Sequence, residues 1–309
     1  MRIAHINLEH GWRGGERQTL YLMEGLRALG HECHLIARNN EVFTERASQR
    51  GFPVHIIHKP FLLRGGMLSR FDIVHVHETR GLQIAALWKP IHSRPLVATR
   101  RVDNMPSGNA LTRLMYGQVD RLVVISDKIR VVMGNWGVKD EKISVIPDSV
   151  DRDSKPSEHT VTKLRERFRS KKVIGCVASL EKRKDHHTLL KAASIVQGKR
   201  DDAVFVLIGD GDLRSELERE ILDAFFYRVP VVVTAAGGMP EIVKDGKTGL
   251  LAEVGNPLMV AQAILRMLED DTLRNGCIEK AHALLMERFT IEHMSKSYEL
   301  VYHDVLSHE

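Results

Sequence analysis

Three glycine-bearing turns are the first candidates for chemistry, because bare backbone N–H groups there could meet an anion. Gly14-Gly15 follow "RIAHIN", Gly209 and Gly211 sit in "IGDGDL" after "AVFVLI", and Gly237-Gly238 separate "PVVVT" from Pro240-Glu241 in "TAAGGMPEIVKDGKTGLL". Two readings apply. A tight strand-to-helix turn explains glycine by its tolerance of positive φ, and proline by its fit to a first helical turn. Alternatively, N–H groups at a helix N-terminus beyond a parallel strand's carboxyl end draw phosphates. Two such turns, one in each half of the chain, support the second reading better than one would. "IGDGDL" lacks the third glycine of a dinucleotide fingerprint, and no suitable acid follows about twenty residues later, which argues against a nicotinamide dehydrogenase.

Positive charge to match an anion stands at Arg100 and Arg101, and in "EKRKDHH" (181–187), which follows "VIGCVASL". A charge run is commonly a solvated face, but at a strand's end before a helix a lysine could reach a phosphate. His75 and His77 alternate on one strand and so share a face. With no third ligand at a recognisable spacing, they read as polar packing near a strand end, and no metal is expected. No Ser-His-Asp or Cys-His signature stands out.

These residues need a scaffold, and the chain is long enough for two domains. Of its 309 residues, 43% are hydrophobic and 28% charged, as in an ordinary globular protein. No apolar run approaches the ~18 residues of a membrane span. "MRIAHI" enters a strand at once, so no signal peptide is expected. Cys33, Cys176 and Cys277 are odd in number and far apart, fitting reduced thiols in a cytoplasmic protein. Residues 1–150 hold 21 Lys/Arg against 14 Asp/Glu, a net of +7, whereas the remainder, 24 against 26, comes to −2. The basic half points to an anionic partner or to a merely solubilising surface. Nucleic acid is disfavoured, because the basic residues have little aromatic interleaving.

Short apolar runs at 2–6, 32–38, 54–57, 72–77, 95–99, 121–125 and 142–147 alternate with helical spacers such as 16–29, which Gly30 closes. This predicts a parallel, doubly wound sheet. After the polar segment 147–160 the pattern restarts, with strands at 173–178, 203–209 and 230–234, a helix at 185–196, and helices at 257–269, 272–286 and 291–306. The expected domains are therefore 1–150 and 151–290, with 291–309 a final helix returning toward the first domain.

The order of these motifs resembles the family-four glycosyltransferases of the GT-B fold, retaining enzymes that include bacterial envelope sugar transferases. "DIVHVHE", "KISVIPDSVD", "ASLEKRKDHHTLLKA", "IGDGDLRSELE" and "PVVVTAAGGMPEIVKDGKTGLL" stand in the family's order over nearly the whole chain. The resemblance implies two Rossmann-like, doubly wound α/β domains facing a cleft. It implies transfer from a nucleotide-diphosphate sugar, UDP-sugar favoured, to a saccharide or lipid-linked acceptor, without a bound metal or other cofactor. The setting it implies is lipopolysaccharide-type cell-envelope synthesis in the cytoplasm, with peripheral contact at the inner membrane. By the same resemblance Gly14 and Gly15 approach the donor phosphate or the acceptor, and Lys184 neutralises the pyrophosphate leaving group. Gly209 and Gly211 line the base pocket, Asp223 stands where the family's glutamate grips the ribose, and Gly237-Gly238 turn a strand toward the cleft.

Three departures matter. The family's arginine partner of the lysine falls at Ser179, and its histidine near the reacting centre falls at Arg101, where Arg100-Arg101 could face the donor phosphates instead. The third is length. "LRSELERE" runs straight into "ILDAFF", although the family places a strand, a helix and another strand there, a unit of roughly 30 residues or more. Either that unit has been lost or, as the resemblance favours, the polypeptide has further residues after Glu220 that become ordered when the donor binds. The rival readings are a GT-B sugar-nucleotide epimerase and a non-catalytic nucleotide-binding protein.

Overall fold

The computed structural model describes residues 1–39, 41–58, 65–150, 157–177, 185–208, 216–236 and 239–307. The chain forms two compact units, one of Met1–Ser149 with Ile291–Glu309 and the other of Val150–Thr290.

The first unit alternates strand and helix throughout: β1 (Arg2–Ile6), α1 (Gly14–Ala28), β2 (Glu32–Arg38), α2 (Val42–Gln49), β3 (Val54–Ile57), α3 (Gly65–Leu68), β4 (Ile73–Val76), α4 (Thr79–His92), β5 (Leu96–Arg100), α5 (Ala110–Gly117), β6 (Arg121–Val124), α6 (Asp127–Trp136) and β7 (Ile143–Val145). The seven strands make one parallel sheet in the order β3-β2-β1-β4-β5-β6-β7. The order reverses between β1 and β4, and open α/β sheets take ligands beyond the strand carboxyl ends at such a point. Strand residues alternate between two cores. Ala4, Ile6, Val74, Val76 and Ala98 face one, while Ile3, Ile73, Val97 and Val123 face the other, which holds the apolar stripe of α1. The last helix of the chain, Ile291–Ser307, lies in this second core with Tyr298, Val301 and Tyr302. Burying each such side chain is worth about 1.5–3 kcal/mol. Gly25 on α1 is what allows that helix so close: a Cβ there would lie 1.9 Å from Ser295 Oγ and 2.8 Å from Ser295 Cβ.

The second unit contains α7 (Glu158–Arg167), β8 (Lys172–Val177), α8 (His186–Gln197), β9 (Ala203–Ile208), α9 (Glu216–Phe226), β10 (Val232–Thr234), α10 (Met239–Ile242), β11 (Leu250–Ala252), α11 (Pro257–Glu269) and α12 (Asp271–Arg288); the C-terminal helix of the first unit is α13. Its strands are parallel, but they form two pairs, β8-β9 and β10-β11, rather than one sheet. The pairs are held by helices: α8 packs on α11 through Ala192, Val196, Ala261 and Ile264, and Ile221, Leu222 and Phe225 of α9 pack with Ala281 and Leu285 of α12.

The resemblance implies further residues after Glu220, and the chain is helical across that position. Helix α9 runs unbroken through it as one amphipathic helix. The reason is visible in the residues: "ELEREILDAFF" has strong helix formers across the junction and places Ile221, Leu222 and Phe225 on one buried face.

Candidate functional site

The best-defined constellation lies in the first unit, beyond the carboxyl ends of β1, β4 and β5. After β1 the chain reaches Arg13, the N-cap of α1, whose extended backbone donates its N–H to Glu16 Oε2 at 2.8 Å. The two glycines are therefore the first turn of α1 and not the loop that the sequence predicts. Neither takes a positive φ, so an unusual backbone conformation is not what demands glycine here. Around Gly15 the space that a Cβ would occupy is empty to 4 Å. The first turn of this 15-residue helix is thus bare at its glycines, although the Glu16 carboxylate already takes the Arg13 N–H; N–H groups at such an end favour anions.

β4 ends on a histidine pair. His75 pairs in register with His5 of β1, so His5, His75 and His77 fall on one face of the sheet. All three are buried. His5 Nδ1 and His77 Nε2 share a hydrogen bond of 3.0 Å, while His75 bonds Tyr302 OH through Nδ1 and Thr99 Oγ1 through Nε2, both at 2.7 Å. Thr99 Oγ1 and Tyr298 OH continue the chain at 2.9 Å. Helix α13 is thereby bonded to the middle of the sheet. Burial pushes the His5 pKa down to about 3, with His34 adding to the effect, and drives His75 and His77 well below the ordinary range. The rings are neutral.

Their ligand atoms lie within 4.8 Å of one another, close enough to ask whether they hold a cation. They fit one poorly. Both nitrogens of His75 are engaged by hydroxyls, no carboxylate among the described residues hydrogen-bonds the set, and Arg101 is near enough that its charge further depresses His75 and His77. A divalent ion buried beside a guanidinium lacks the compensation that a dry site requires.

Arg101 is the residue that the geometry brings to this cluster. Its side chain is 9% exposed, and Nε donates to Asp148 Oδ1 and Oδ2 at 3.0 and 3.3 Å. Burial opposes its charge, but Asp148, Tyr298 and Glu16 together hold the guanidinium above its usual range. Among the described residues Nη1 and Nη2 are buried with no partner, as are His5 Nε2 and His77 Nδ1. A buried guanidinium with two idle N–H arms is costly unless something accepts them. Arg100 does a different job. Being next to Arg101 in an extended chain it points to the opposite face, where its guanidinium donates to Tyr116 OH at 3.0 Å and to the Asn104 carbonyl. The two arginines do not act as a pair.

In the second unit, Lys184, Gly209, Gly211, Gly237 and Gly238 lie outside the described residues, as does Ser179. Asp185, next to Lys184, is defined: it caps α8 in a left-handed conformation, φ 49°, and accepts from Thr188 N–H and, at 2.6 Å, from Thr188 Oγ1. Asp223 sits mid-helix on α9, half-buried. After Pro240 the chain is held by its own side chains. Thr248 Oγ1 accepts from Lys244 N–H, Asp245 Oδ1 accepts from Leu251 N–H, both at 2.9 Å, and Lys244 Nζ donates to the Pro240 carbonyl at 2.7 Å. Gly249 has no room for a side chain, since a Cβ would meet Val231 Cγ2 at 2.7 Å and the Val231 carbonyl at 2.9 Å.

Several participants escape sequence reasoning. Asp148, Thr99, Tyr298 and Tyr302 reach the cluster from 24 to 227 residues away, and no local spacing announces them. Glu78 could have been found: it follows β4 directly and caps α4, accepting from the Gly81 N–H.

Comparison with known proteins fits this layout. The Glycosyltransferase Family 4 model matches residues 12–154, and the model of Glycosyl transferases group 1 matches 162–225 and 219–283. The N-acetyl-alpha-D-glucosaminyl L-malate synthase of Bacillus anthracis is 36% identical over 115 residues, which are 35% of this chain and 30% of that protein. The lipopolysaccharide core biosynthesis glycosyltransferase LpsE of Rhizobium meliloti is 31% identical over 78 residues, 25% of this chain and 23% of LpsE. Each match thus spans under a third of the relative's length. Among solved structures, Anabaena HepE in complex with UDP-glucose has a TM-score of 0.77 at 18% identity, covering 100% of both chains. A glycosyltransferase from Rickettsia africae has a TM-score of 0.79 at 17% identity, covering 100% of this chain and 99% of its own. The domain architecture, the order of the motifs and both matching models lead to one conclusion: this chain belongs to glycosyltransferase family 4 and has the GT-B fold.

Proposed function

We propose that the chain transfers a sugar from a UDP-sugar to a saccharide or lipid-linked acceptor, with retention of configuration, in the assembly of a cell-envelope glycan. The observation that carries this is the buried Arg101, with two unpartnered N–H arms beside the open N-terminus of α1 at the sheet's switch point. In the reaction the bond from the sugar's anomeric carbon to the diphosphate oxygen breaks. A bond to the acceptor oxygen forms, the acceptor hydroxyl loses its proton, and UDP leaves with added negative charge. Arg101 and the α1 N–H groups are the first unit's candidates to stabilise that charge, and the resemblance gives Lys184 such a role in the second. Support comes from relatives whose names describe glycosyl transfer, to malate in one case and to D-inositol 3-phosphate in another, and from structural neighbours solved with UDP or UDP-glucose. The test is UDP release from UDP-glucose or UDP-N-acetylglucosamine with candidate acceptors, wild type beside Arg101→Ala. Acceptor-dependent release that falls by about 10²–10³ in the variant supports the reading; no release with any sugar nucleotide refutes it.

One observation favours a second reading. The second unit has its strands in two separate pairs, and the family model matches it in two overlapping pieces. A shortened donor unit suits a protein that binds nucleotide without turning it over. UDP binding in calorimetry with no turnover under any acceptor would select that reading.

A further inference from the structure

The connection between β1 and α1, residues 7–13, leads straight into Gly14 and Gly15, and much of what holds it comes from the next strand and helix. Arg38, the last residue of β2, is buried, and its Nε donates to the Leu8 carbonyl while Nη1 bonds His10 Nε2 at 2.6 Å. Glu41, the N-cap of α2, takes the other side. Its Oε1 bonds His10 Nδ1 at 2.6 Å, and its Oε2 accepts from the Gly11 N–H at 2.8 Å. Gly11 stands in the left-handed region, φ 84°, so this bond fixes a backbone turn that few other residues would adopt. Trp12 follows the same pattern: it packs on Phe43 of α2, with ring centroids 6.1 Å apart, and the Arg46 guanidinium lies over its ring at 4.5 Å.

The chemistry of the three side chains gives the network one direction. A guanidinium has no lone pair to offer, so Arg38 must donate to His10 Nε2, which places the ring's proton on Nδ1. Glu41 accepts that proton, and the bonds run from Arg38 through His10 to Glu41. The Gly11 N–H, with His10 and Arg38 adding, holds the Glu41 carboxyl below its ordinary range, so it is ionised. Bonds to an ionised acceptor are about twice as strong as neutral ones. Thr44 sets the backbone of Glu41 in turn, its hydroxyl accepting from the Glu41 N–H at 3.3 Å and donating to the Glu41 carbonyl at 2.6 Å. Resting on the transferase reading, we propose that Glu41 is a positioning residue: through Gly11 and His10 it fixes the β1–α1 connection and so holds the first turn of α1 where the departing diphosphate is to be met. It acts through the backbone and touches no reacting atom. A displacement of about 1 Å in such a turn is enough to cost roughly 10²-fold in rate.

The test sets the kinetics of acceptor-dependent UDP release beside hydrogen exchange of residues 7–19, in wild type, Glu41→Ala, Glu41→Gln and His10→Ala. Glu41→Ala should lower kcat about tenfold to a hundredfold and leave KM for the sugar nucleotide within about twofold, because positioning is lost and ground-state binding is kept. Glu41→Gln keeps an oxygen for the Gly11 N–H and should lose about fivefold or less. Exchange in the segment should quicken in Glu41→Ala and stay near wild type in Glu41→Gln. The His10 side chain is 63% exposed, so His10→Ala keeps its fold and carries the test if Glu41→Ala does not; its kcat should fall between those of the two Glu41 variants. Glu41→Ala that turns over like wild type, a raised KM at unchanged kcat, or exchange that does not change would overturn the proposal. A lower melting temperature with kcat unchanged would also overturn it, by making the link purely structural. Wild type that releases no UDP would refute the transferase reading itself, a result distinct from an active wild type matched by Glu41→Ala.

Discussion

The two units start from the same strand-helix alternation and finish differently. In the first, β1, β2, β4, β5 and β6 each pair with a strand on both sides, and their side chains are almost wholly buried. In the second, each strand has one partner among the described residues, and Val173 of β8 and Leu207 of β9 remain exposed. The short link between β9 and β10 accounts for this. In a doubly wound sheet the strands between them would close the gap, and here α9 is the element described in that link. A parallel strand is satisfied only when both edges and both faces are covered. The first unit is therefore the stable scaffold, and the second depends on helix packing. The histidine network and the Arg101–Asp148 pair reside in the scaffold.

The comparison breaks most readily with acid. His5, His75 and His77 are neutral in the folded first unit, with His5 lowered to about 3, whereas the unfolded chain protonates them near 6.5. Between those values the unfolded state binds more protons, so stability is full above 6.5 and falls as pH drops below it. Three such groups give a slope of up to about 4 kcal/mol per pH unit. Denaturant unfolding from pH 7 to 5 should show the first unit losing stability steeply; a flat profile would mean the rings are hydrated. Next in size, Lys184→Ala should lower kcat by about 10²–10³ with an unchanged melting curve, and turnover equal to wild type would make the lysine a solvated surface group.

Overpacking tests each unit separately. Gly25→Val forces α1 from α13 and should cost about 3 kcal/mol in the first unit's transition, while Gly249→Ala, pressed against Val231, should lower only the second's. Calorimetry should show the second unit melting first. A single transition shifted equally by both substitutions would contradict two separable units. The smallest effect is expected at Asp223, where Asp223→Asn should weaken UDP binding about tenfold, the loss of one charge-assisted bond to a hydroxyl.

Much of the fold is legible in the sequence because parallel strands are buried on both faces and read as continuous apolar runs, as in "IVHV", "LVATR" and "RLVV". The glycine pair is located correctly, but its role as a first helical turn is not, since that depends on Glu16 reaching back to Arg13. The alternation of His75 and His77 gives their shared face, while His5 joins them only through strand pairing across 70 residues. That Arg101 is held by Asp148 and Arg100 by Tyr116 comes from tertiary packing, and adjacent arginines in a sequence look alike. At α9 the family pattern asks for more chain, whereas the residues at the junction are good helix formers in phase.

Titration calorimetry with UDP, GDP, ADP and NAD tests most directly whether this chain handles a sugar nucleotide. The expected result is one UDP bound per chain, unaffected by EDTA, displaced by UDP-glucose and weakened by Asp223→Asn. Binding of NAD with no response to any nucleoside diphosphate would contradict it.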